Sequence, residues 1–87
     1  MNKVEGNKYP TYIGGSFDDQ KFLIEGVNVW DHKWIPQSRT YNVIDPVYKA
    51  KKKFLLYKII TDSKEVEFIA GEFSNSVWGF YKPTSET

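Results

Sequence analysis

The sequence predicts a single all-β domain: a small antiparallel barrel or a strongly twisted sheet of five or six strands. Short apolar segments alternate with turn residues along most of the chain, which is typical of small β domains. The 87 residues include no cysteine, so the core depends on apolar packing without disulfides. Aromatic residues make up 17% of the chain, and each buried ring removes roughly 150–250 Å² from water.

The two ends of the chain are polar and show no periodicity. Residues 1–11 predict a flexible N-terminal arm and residues 83–87 a frayed tail, which leaves 12–82 as one β domain. The first residues lack the apolar core of a signal peptide, and no apolar stretch is long enough to span a bilayer. We therefore expect a soluble, cytoplasmic protein without a membrane partner.

Residues 54–81 predict a three-stranded meander, the firmest local prediction. A turn at 61–64, centred between Asp62 and Ser63, joins two β-rich segments. Its register puts three apolar pairs on one face: Leu55 with Ala70, Tyr57 with Phe68, and Ile59 with Val66. It also puts Lys58 opposite Glu67, an ion pair that contributes about 0.2–1 kcal/mol. After a turn at 74–76, a third strand is expected to pair Ser74 with Val77, so that Phe80 covers Gly71.

The first half of the chain predicts less regular structure. Residues 27–30 and 34–35 predict a hairpin whose tip is 31–33, and residues 39–44 predict a strand that Asp45 and Pro46 end. Residues 46–50 predict a single helical turn capped by Asp45. Residues 16–26 leave two structures open. The apolar run 22–24 favours a strand, whereas Ser16 and Gly26 as caps favour a short helix near residues 16–25 and an α+β fold.

No residue pattern identifies a catalytic or metal centre, so we expect neither enzyme activity nor a cofactor. His32 is the only histidine, and without cysteine or a second histidine a zinc site is not expected. Asp31 precedes it, but adjacent side chains on a strand point to opposite faces, which favours an exposed turn histidine. Gly14 and Gly15 lack the remaining residues of a phosphate loop and predict a turn with positive φ.

Glu65 and Glu67 are the carboxylate pair with the most suggestive spacing. They share one face of a predicted strand about 7 Å apart, a distance that occurs in glycoside hydrolases. Lys58 on the opposing strand favours instead a solvated surface with paired charges.

The aromatic content favours recognition over catalysis. Trp and Tyr are enriched in binding hot spots because a large apolar ring carries a polar group. The sequence therefore predicts a non-catalytic interaction module that binds a protein or peptide through an aromatic surface. Its candidate residues are Trp30, His32 and Trp34 at the expected hairpin tip, together with Trp78.

The basic run 49–53 supports an alternative, weak binding of single-stranded nucleic acid. Such sites combine lysines with stacking rings, and the candidates here are Tyr48, Lys51, Lys52 and Lys53. The net charge of +1 does not favour a general nucleic-acid binder. Lysines also protect edge strands from unwanted pairing, and an unprotected edge strand would permit a homodimer.

Overall fold

The computed structural model describes residues 9–83 and forms an antiparallel β domain. Its strands are β1 (Thr11–Phe17), β2 (Leu23–Ile24), β3 (Val27–Asn28), β4 (Ile35–Ile44), β5 (Lys51–Ile60), β6 (Glu65–Ser74) and β7 (Val77–Lys82). Five strands form one sheet in the order β1-β7-β6-β5-β4, and β2 and β3 form a small separate sheet. The predicted all-β class is confirmed as a twisted sheet that does not close into a barrel.

The predicted terminal segments fall mostly outside the described residues. Residues 1–8 of the predicted arm and 84–87 of the predicted tail are among them. Pro10 is buried, and Thr11 begins β1. Between residues 9 and 83, the chain forms no helix of the length and apolar character needed to cross a membrane.

The β5–β6 hairpin has the predicted register. Leu55 lies opposite Ala70, Tyr57 opposite Phe68, and Ile59 opposite Val66. Lys58 also lies opposite Glu67 as predicted, but its Nζ contacts Glu65 Oε1 instead, at 3.3 Å. Diagonal neighbours on a sheet are within reach of a long side chain, which explains this exchange of partner. In the predicted turn, the Thr61 N–H donates to the Lys64 carbonyl at 2.9 Å.

The β6–β7 hairpin departs from the prediction by one bulge. Ser74 pairs with Val77 as predicted, but Phe73 is then an extra residue with no partner in β7. Every pair beyond the bulge is displaced by one residue. The prediction that Phe80 covers Gly71 is therefore wrong.

Residues 16–34 contain neither the predicted helix nor the predicted hairpin. β1 continues through Ser16 and Phe17, and the short strands β2 and β3 pair with each other, so the helix near residues 16–25 is wrong. Glu25 and Gly26 both have positive φ, 53° and 82°, as a tight two-residue hairpin turn requires. Because β3 pairs with β2, the hairpin between 27–30 and 34–35 is also wrong. The Asn28 side chain caps a 3₁₀ turn at Val29–Asp31 instead.

Gly14 and Gly15 lie within β1, and neither has positive φ, so the turn predicted for them is wrong. The absence of a side chain serves close packing instead. A Cβ at Gly14 would lie 3.0 Å from the ring of Phe22. Gly15 lies opposite Gly79 in β7, where a second glycine also brings the backbone close to neighbouring rings.

The strand predicted at 39–44 is the second half of β4, and Asp45 follows it as predicted. The Lys49 N–H donates to the Asp45 carbonyl at 2.8 Å, which closes one helical turn. Asp45 Oδ1 accepts hydrogen bonds from the N–H groups of Val47 at 2.8 Å and Tyr48 at 3.3 Å. This is the capped turn that residues 46–50 predicted.

The five-stranded sheet carries an apolar core on each face. One face, here the tryptophan face, is covered by the segment between β1 and β4. Its central residues are Val66, Phe68 and Phe80, covered by Phe22, Trp30 and Trp34. The opposite face, here the glycine face, contains Gly71 and Gly79 under aromatic rings. Its buried residues are Val43, Phe54, Leu56, Ile69 and Tyr81.

Candidate binding surfaces

The three tryptophans form one packed cluster rather than an exposed hairpin tip. Trp34 lies at its centre, with its ring centroid 5.1 Å from that of Trp30 and 5.4 Å from that of Trp78. The ring of Phe68 lies 5.1 Å from Trp34 on the sheet beneath. All three tryptophan side chains are half-buried.

Each indole N–H of this cluster donates to a partner inside the domain. Trp34 Nε1 donates to the Val29 carbonyl at 2.7 Å, Trp30 Nε1 to Ser16 Oγ at 3.1 Å, and Trp78 Nε1 to the Asp18 carboxylate. A tryptophan at a binding hot spot combines an accessible ring with a polar group that can meet the partner. Here the polar groups already have partners within the domain, and the half-buried rings pack against the core of the tryptophan face.

His32 is exposed and directly follows the 3₁₀ turn. Its Nδ1 lies 3.1 Å from the carbonyl oxygen of Asn28, and within the described chain no hydrogen bond joins it to Asp31. Over residues 9–83, no three His, Asp or Glu side chains converge as a metal-binding group would. The side chain is an exposed turn histidine, as the simpler interpretation of the sequence predicted.

An open depression of about 520 Å³ lies where the ends of β6 and β7 meet the β2–β3 turn. Its lining residues are Glu25, Glu65, Glu67, Lys82 and Pro83. Glu65 contacts Lys58, which fits the predicted solvated surface with paired charges. None of the residues predicted to bind a partner lines this depression.

Within residues 9–83, the most exposed large apolar side chains lie in the turn between β4 and β5. Tyr48 is 81% exposed and Val47 is 72% exposed. Because Asp45 accepts hydrogen bonds from both of their backbone N–H groups, a capped turn presents the two side chains together. We call Val47 and Tyr48 the apolar tip.

The hairpin that carries the apolar tip extends past the rest of the sheet. β5 pairs with β4 from Lys51 onward but with β6 only from Leu55 onward. The distal half is therefore a two-stranded ribbon, which we call the β4–β5 ribbon. The Tyr81 hydroxyl anchors it from β7 by donating to the Ile44 carbonyl at 2.9 Å across the glycine face.

The β4–β5 ribbon concentrates positive charge. From residue 41 to residue 54 the chain has four basic residues and one acidic residue: Lys49, Lys51, Lys52 and Lys53 against Asp45. Asp45 is buried, and its carboxylate accepts two backbone hydrogen bonds. The net charge of +1 for the whole chain thus conceals a surface that is locally cationic.

The three predicted lysines do not form one row. Lys51 and Lys53 are exposed and project to the same side, because they are two residues apart on a strand. Lys52 projects to the opposite side and is half-buried. The Lys51 ammonium lies 6.0 Å from the centre of the Tyr9 ring, so a second ring borders this side of the ribbon.

The residues predicted to bind a partner fall into two separate groups. Tyr57, whose ring lies 5.2 Å from Trp34, is six residues from Lys51 along β5. At about 3.3 Å per residue, roughly 20 Å separates the tryptophan cluster from the lysines. Tyr48 therefore accompanies the lysines, and the tryptophans do not. Sequence reasoning missed Val47, although its position in the predicted turn at 46–50 already indicated exposure to solvent.

Comparison of the chain with protein-family models, with curated proteins and with solved structures finds no match to any of them. Function is therefore inferred from the geometry and charge of this chain.

Proposed function

We propose that this domain is a non-catalytic interaction module that binds an acidic protein or peptide through the apolar tip. The observation that carries the proposal is the joint exposure of Val47 and Tyr48 on one capped turn of a cationic ribbon. A partner with apolar side chains among carboxylates would complement both properties of this surface.

The apolar tip has the chemistry of a hot spot. Tyr48 offers a large ring with a polar hydroxyl, the kind of side chain that is enriched at the centres of interfaces. Tyrosine has two flexible side-chain torsions, so binding costs it little conformational entropy. The hydrogen bonds to Asp45 order the turn in advance, which lowers the entropic cost of binding further.

The surrounding charge selects the kind of partner. The one ion pair within residues 9–83 joins Lys58 and Glu65, so Lys49, Lys51 and Lys53 have no acidic partner in the described chain. Complementary charge increases the association rate and disfavours partners of like charge. An acidic partner is therefore favoured over a basic one.

The shape of the surface favours a polypeptide over a nucleic acid. Sites for single-stranded nucleic acid stack successive bases on several rings along a cationic groove. The apolar tip lies at the end of a ribbon and carries one largely exposed ring, Tyr48, with Lys51 and Lys53 on one side. One ring at an end suits an anchor side chain that enters a partner's pocket.

The test measures the affinity of fluorescently labelled peptides by anisotropy. The probe alternates glutamate with leucine, and the matched control replaces each glutamate by glutamine. We expect saturable binding of the acidic peptide alone, with an affinity that falls as salt rises. Tyr48→Ala should weaken it about tenfold, which corresponds to about 1.4 kcal/mol.

The matched control variant for Tyr48→Ala is Leu23→Ala. Leu23 is also an exposed apolar residue, but it lies on β2, outside the ribbon. It should bind the acidic peptide as the unmodified chain does. Equal loss in both variants, or an affinity that Tyr48→Ala leaves unchanged, would refute the apolar tip as the binding site.

Weak binding of single-stranded nucleic acid is the second candidate, supported by Tyr48 beside Lys51 and Lys53. A labelled mixed-sequence oligonucleotide tests it in the same assay. Its affinity should fall on a log–log plot against salt with a slope of about −0.7 per phosphate contacted. Tighter binding of the oligonucleotide than of the acidic peptide at moderate salt would make nucleic acid the better-supported partner.

A further inference from the structure

The two edges of the five-stranded sheet, β1 and β4, differ in their protection against a further strand. On β4, Pro36 lacks an N–H, and the pairing with β5 slips between Pro36 and Thr40. Ser38 has a φ of 60°, and the Gln37 side chain donates to the Ile35 carbonyl at 2.8 Å. Proline, irregular pairing and a carbonyl that is already occupied all hinder strand addition.

β1 has far less protection. Its seven residues, TYIGGSF, include neither proline nor a charged residue. One bulge at Ile13 interrupts the pairing with β7, and the segment from Gly14 to Phe17 is regular. Among the described residues, the backbone of residues 12–16 accepts and donates hydrogen bonds only within its pairing with β7. Its outward N–H and C=O groups are therefore open to a further strand.

Apolar side chains flank this open edge. Phe17 is 56% exposed, Tyr12 39% and Ile13 38%. A strand that paired with β1 would cover part of this surface and would satisfy the outward backbone groups at the same time.

The charges at the two ends of β1 indicate which strand would pair there. Asp18 and Asp19 follow the C-terminal end, and Lys82 lies opposite Thr11 at the N-terminal end. Asp19 and Lys82 are exposed, and neither has an ion-pair partner within residues 9–83. Lys82 shares its end of the sheet with Glu25, Glu65 and Glu67, of which Glu65 pairs with Lys58. An antiparallel copy of β1 would bring Asp19 of each chain towards Lys82 of the other. A parallel copy would bring like charges together.

We infer that two copies of this chain pair antiparallel through β1 about a twofold axis, which joins their five-stranded sheets into one. Because of the twofold symmetry, the contact between Asp19 of one copy and Lys82 of the other occurs twice. Because Lys82 is on β7, about 10 Å, or two strand spacings, separates its backbone from the partner strand. A lysine side chain and a carboxylate span this gap together.

The test is the dimerisation constant measured by sedimentation equilibrium from low to high micromolar concentration. The unmodified chain should dimerise reversibly. Asp19→Lys and Lys82→Glu should each weaken the dimer at least fivefold, because each sets like charges together, and the double variant should recover it to within about twofold. Lysine tolerates the φ of 62° at Asp19, since Lys49 has a φ of 61°.

Two control variants separate this interface from other effects. Asp62→Lys makes the same charge change in the β5–β6 turn and should leave the dimerisation constant unchanged, as should Tyr48→Ala at the apolar tip. Phe17→Lys should give a folded monomer, with folding verified by circular dichroism. A chain that stays monomeric at every concentration overturns the inference. The inference is also overturned if Asp62→Lys weakens the dimer as much as Asp19→Lys does. It is overturned as well if the double variant of Asp19→Lys and Lys82→Glu does not restore dimerisation.

Discussion

The two faces of the five-stranded sheet are both rich in aromatic residues, but they are covered by different means. A separate segment covers the tryptophan face. There the ring of Phe22 stacks on Phe80 at 4.7 Å, and Trp34 packs on the same ring at 5.8 Å. On the glycine face the sheet covers itself, because the β4–β5 ribbon curls across it until Ile44 meets the Tyr81 hydroxyl.

Glycine residues allow the sheet to cover its own glycine face. Gly71 lies beneath the ring of Phe54 and Gly79 beneath the ring of Phe73, and a Cβ at either position would overlap the ring above it. Gly15 lies opposite Gly79 and extends the row onto β1. Residues without side chains let strands bend and let rings lie flat against the backbone.

Packing on both faces of the sheet accounts for much of the high aromatic content of this sequence. Rings are needed on both faces of a single sheet, so the number that packing requires is larger than for a domain with one apolar face. The tryptophans belong to this packing, since their indole N–H groups donate within the domain. Tyr48 belongs to neither face and is the most exposed ring within residues 9–83.

The largest expected effect comes from removing the ring at the centre of the tryptophan face. Phe80 is fully buried, and Phe80→Ala should lower the free energy of unfolding by about 3–5 kcal/mol. For a domain of this size, that is a large part of the total stability. Urea unfolding followed by circular dichroism measures it, with the exposed Leu23→Ala as the control. A loss below about 1 kcal/mol would show that the covering segment does not depend on Phe80.

The glycine face should respond to an added methyl group rather than to a lost ring. Gly79→Ala should cost about 1–3 kcal/mol, because its Cβ would overlap the Phe73 ring. If this overlap is the cause, the same substitution should cost at least 1 kcal/mol less in a Phe73→Ala background. Unfolding free energies of the two single variants and the double variant provide the cycle. If the stability losses of the two single variants simply add in the double variant, the strain caused by Gly79→Ala does not come from the Phe73 ring.

Local sequence patterns predict some parts of the structure, and contacts between distant residues determine the rest. The β5–β6 register follows from local alternation, because apolar pairs and the pairing of Lys58 with Glu67 agree on one alignment. The bulge at Phe73 has no such local signal. The cover of the glycine face depends on contacts such as that between Tyr81 and Ile44, which are 37 residues apart.

In the candidate site, too, some features follow from the local sequence and others depend on distant contacts. The exposure of Tyr48 follows from its position in a short turn beside Asp45, which the sequence marks with a capping residue and a proline. The partial burial of Trp30 and Trp78 depends on distant partners. Ser16 is 14 residues from Trp30, and Asp18 is 60 residues from Trp78. Residue types alone favour binding for all of these rings, and only the fold separates them.

The smallest expected effect concerns the hydroxyl that closes the glycine face. Burial, with smaller contributions from Asp45 and Tyr12, raises the pKa of Tyr81 to about 12. In the unfolded chain a tyrosine titrates near pH 10, so between about pH 10 and 12 the unfolded state binds fewer protons than the native state. The contribution of Tyr81 to stability is therefore complete below about pH 10 and is lost as the pH rises towards 12.

Tyr81→Phe separates this contribution from the rest of the alkaline response. At neutral pH the variant should be about 0.5–1.5 kcal/mol less stable, because the Ile44 carbonyl loses its donor. Unfolding free energies at neutral pH and at about pH 11.5 should show that this difference falls to zero or reverses. The unmodified chain loses about 2 kcal/mol because its Tyr81 pKa is about 12, whereas phenylalanine has no proton to lose. Leu23→Ala, at an exposed position and without a titratable side chain, should keep the same difference from the unmodified chain at both values. If the difference between Tyr81→Phe and the unmodified chain stays constant, Tyr81 does not hold its proton more tightly in the folded protein.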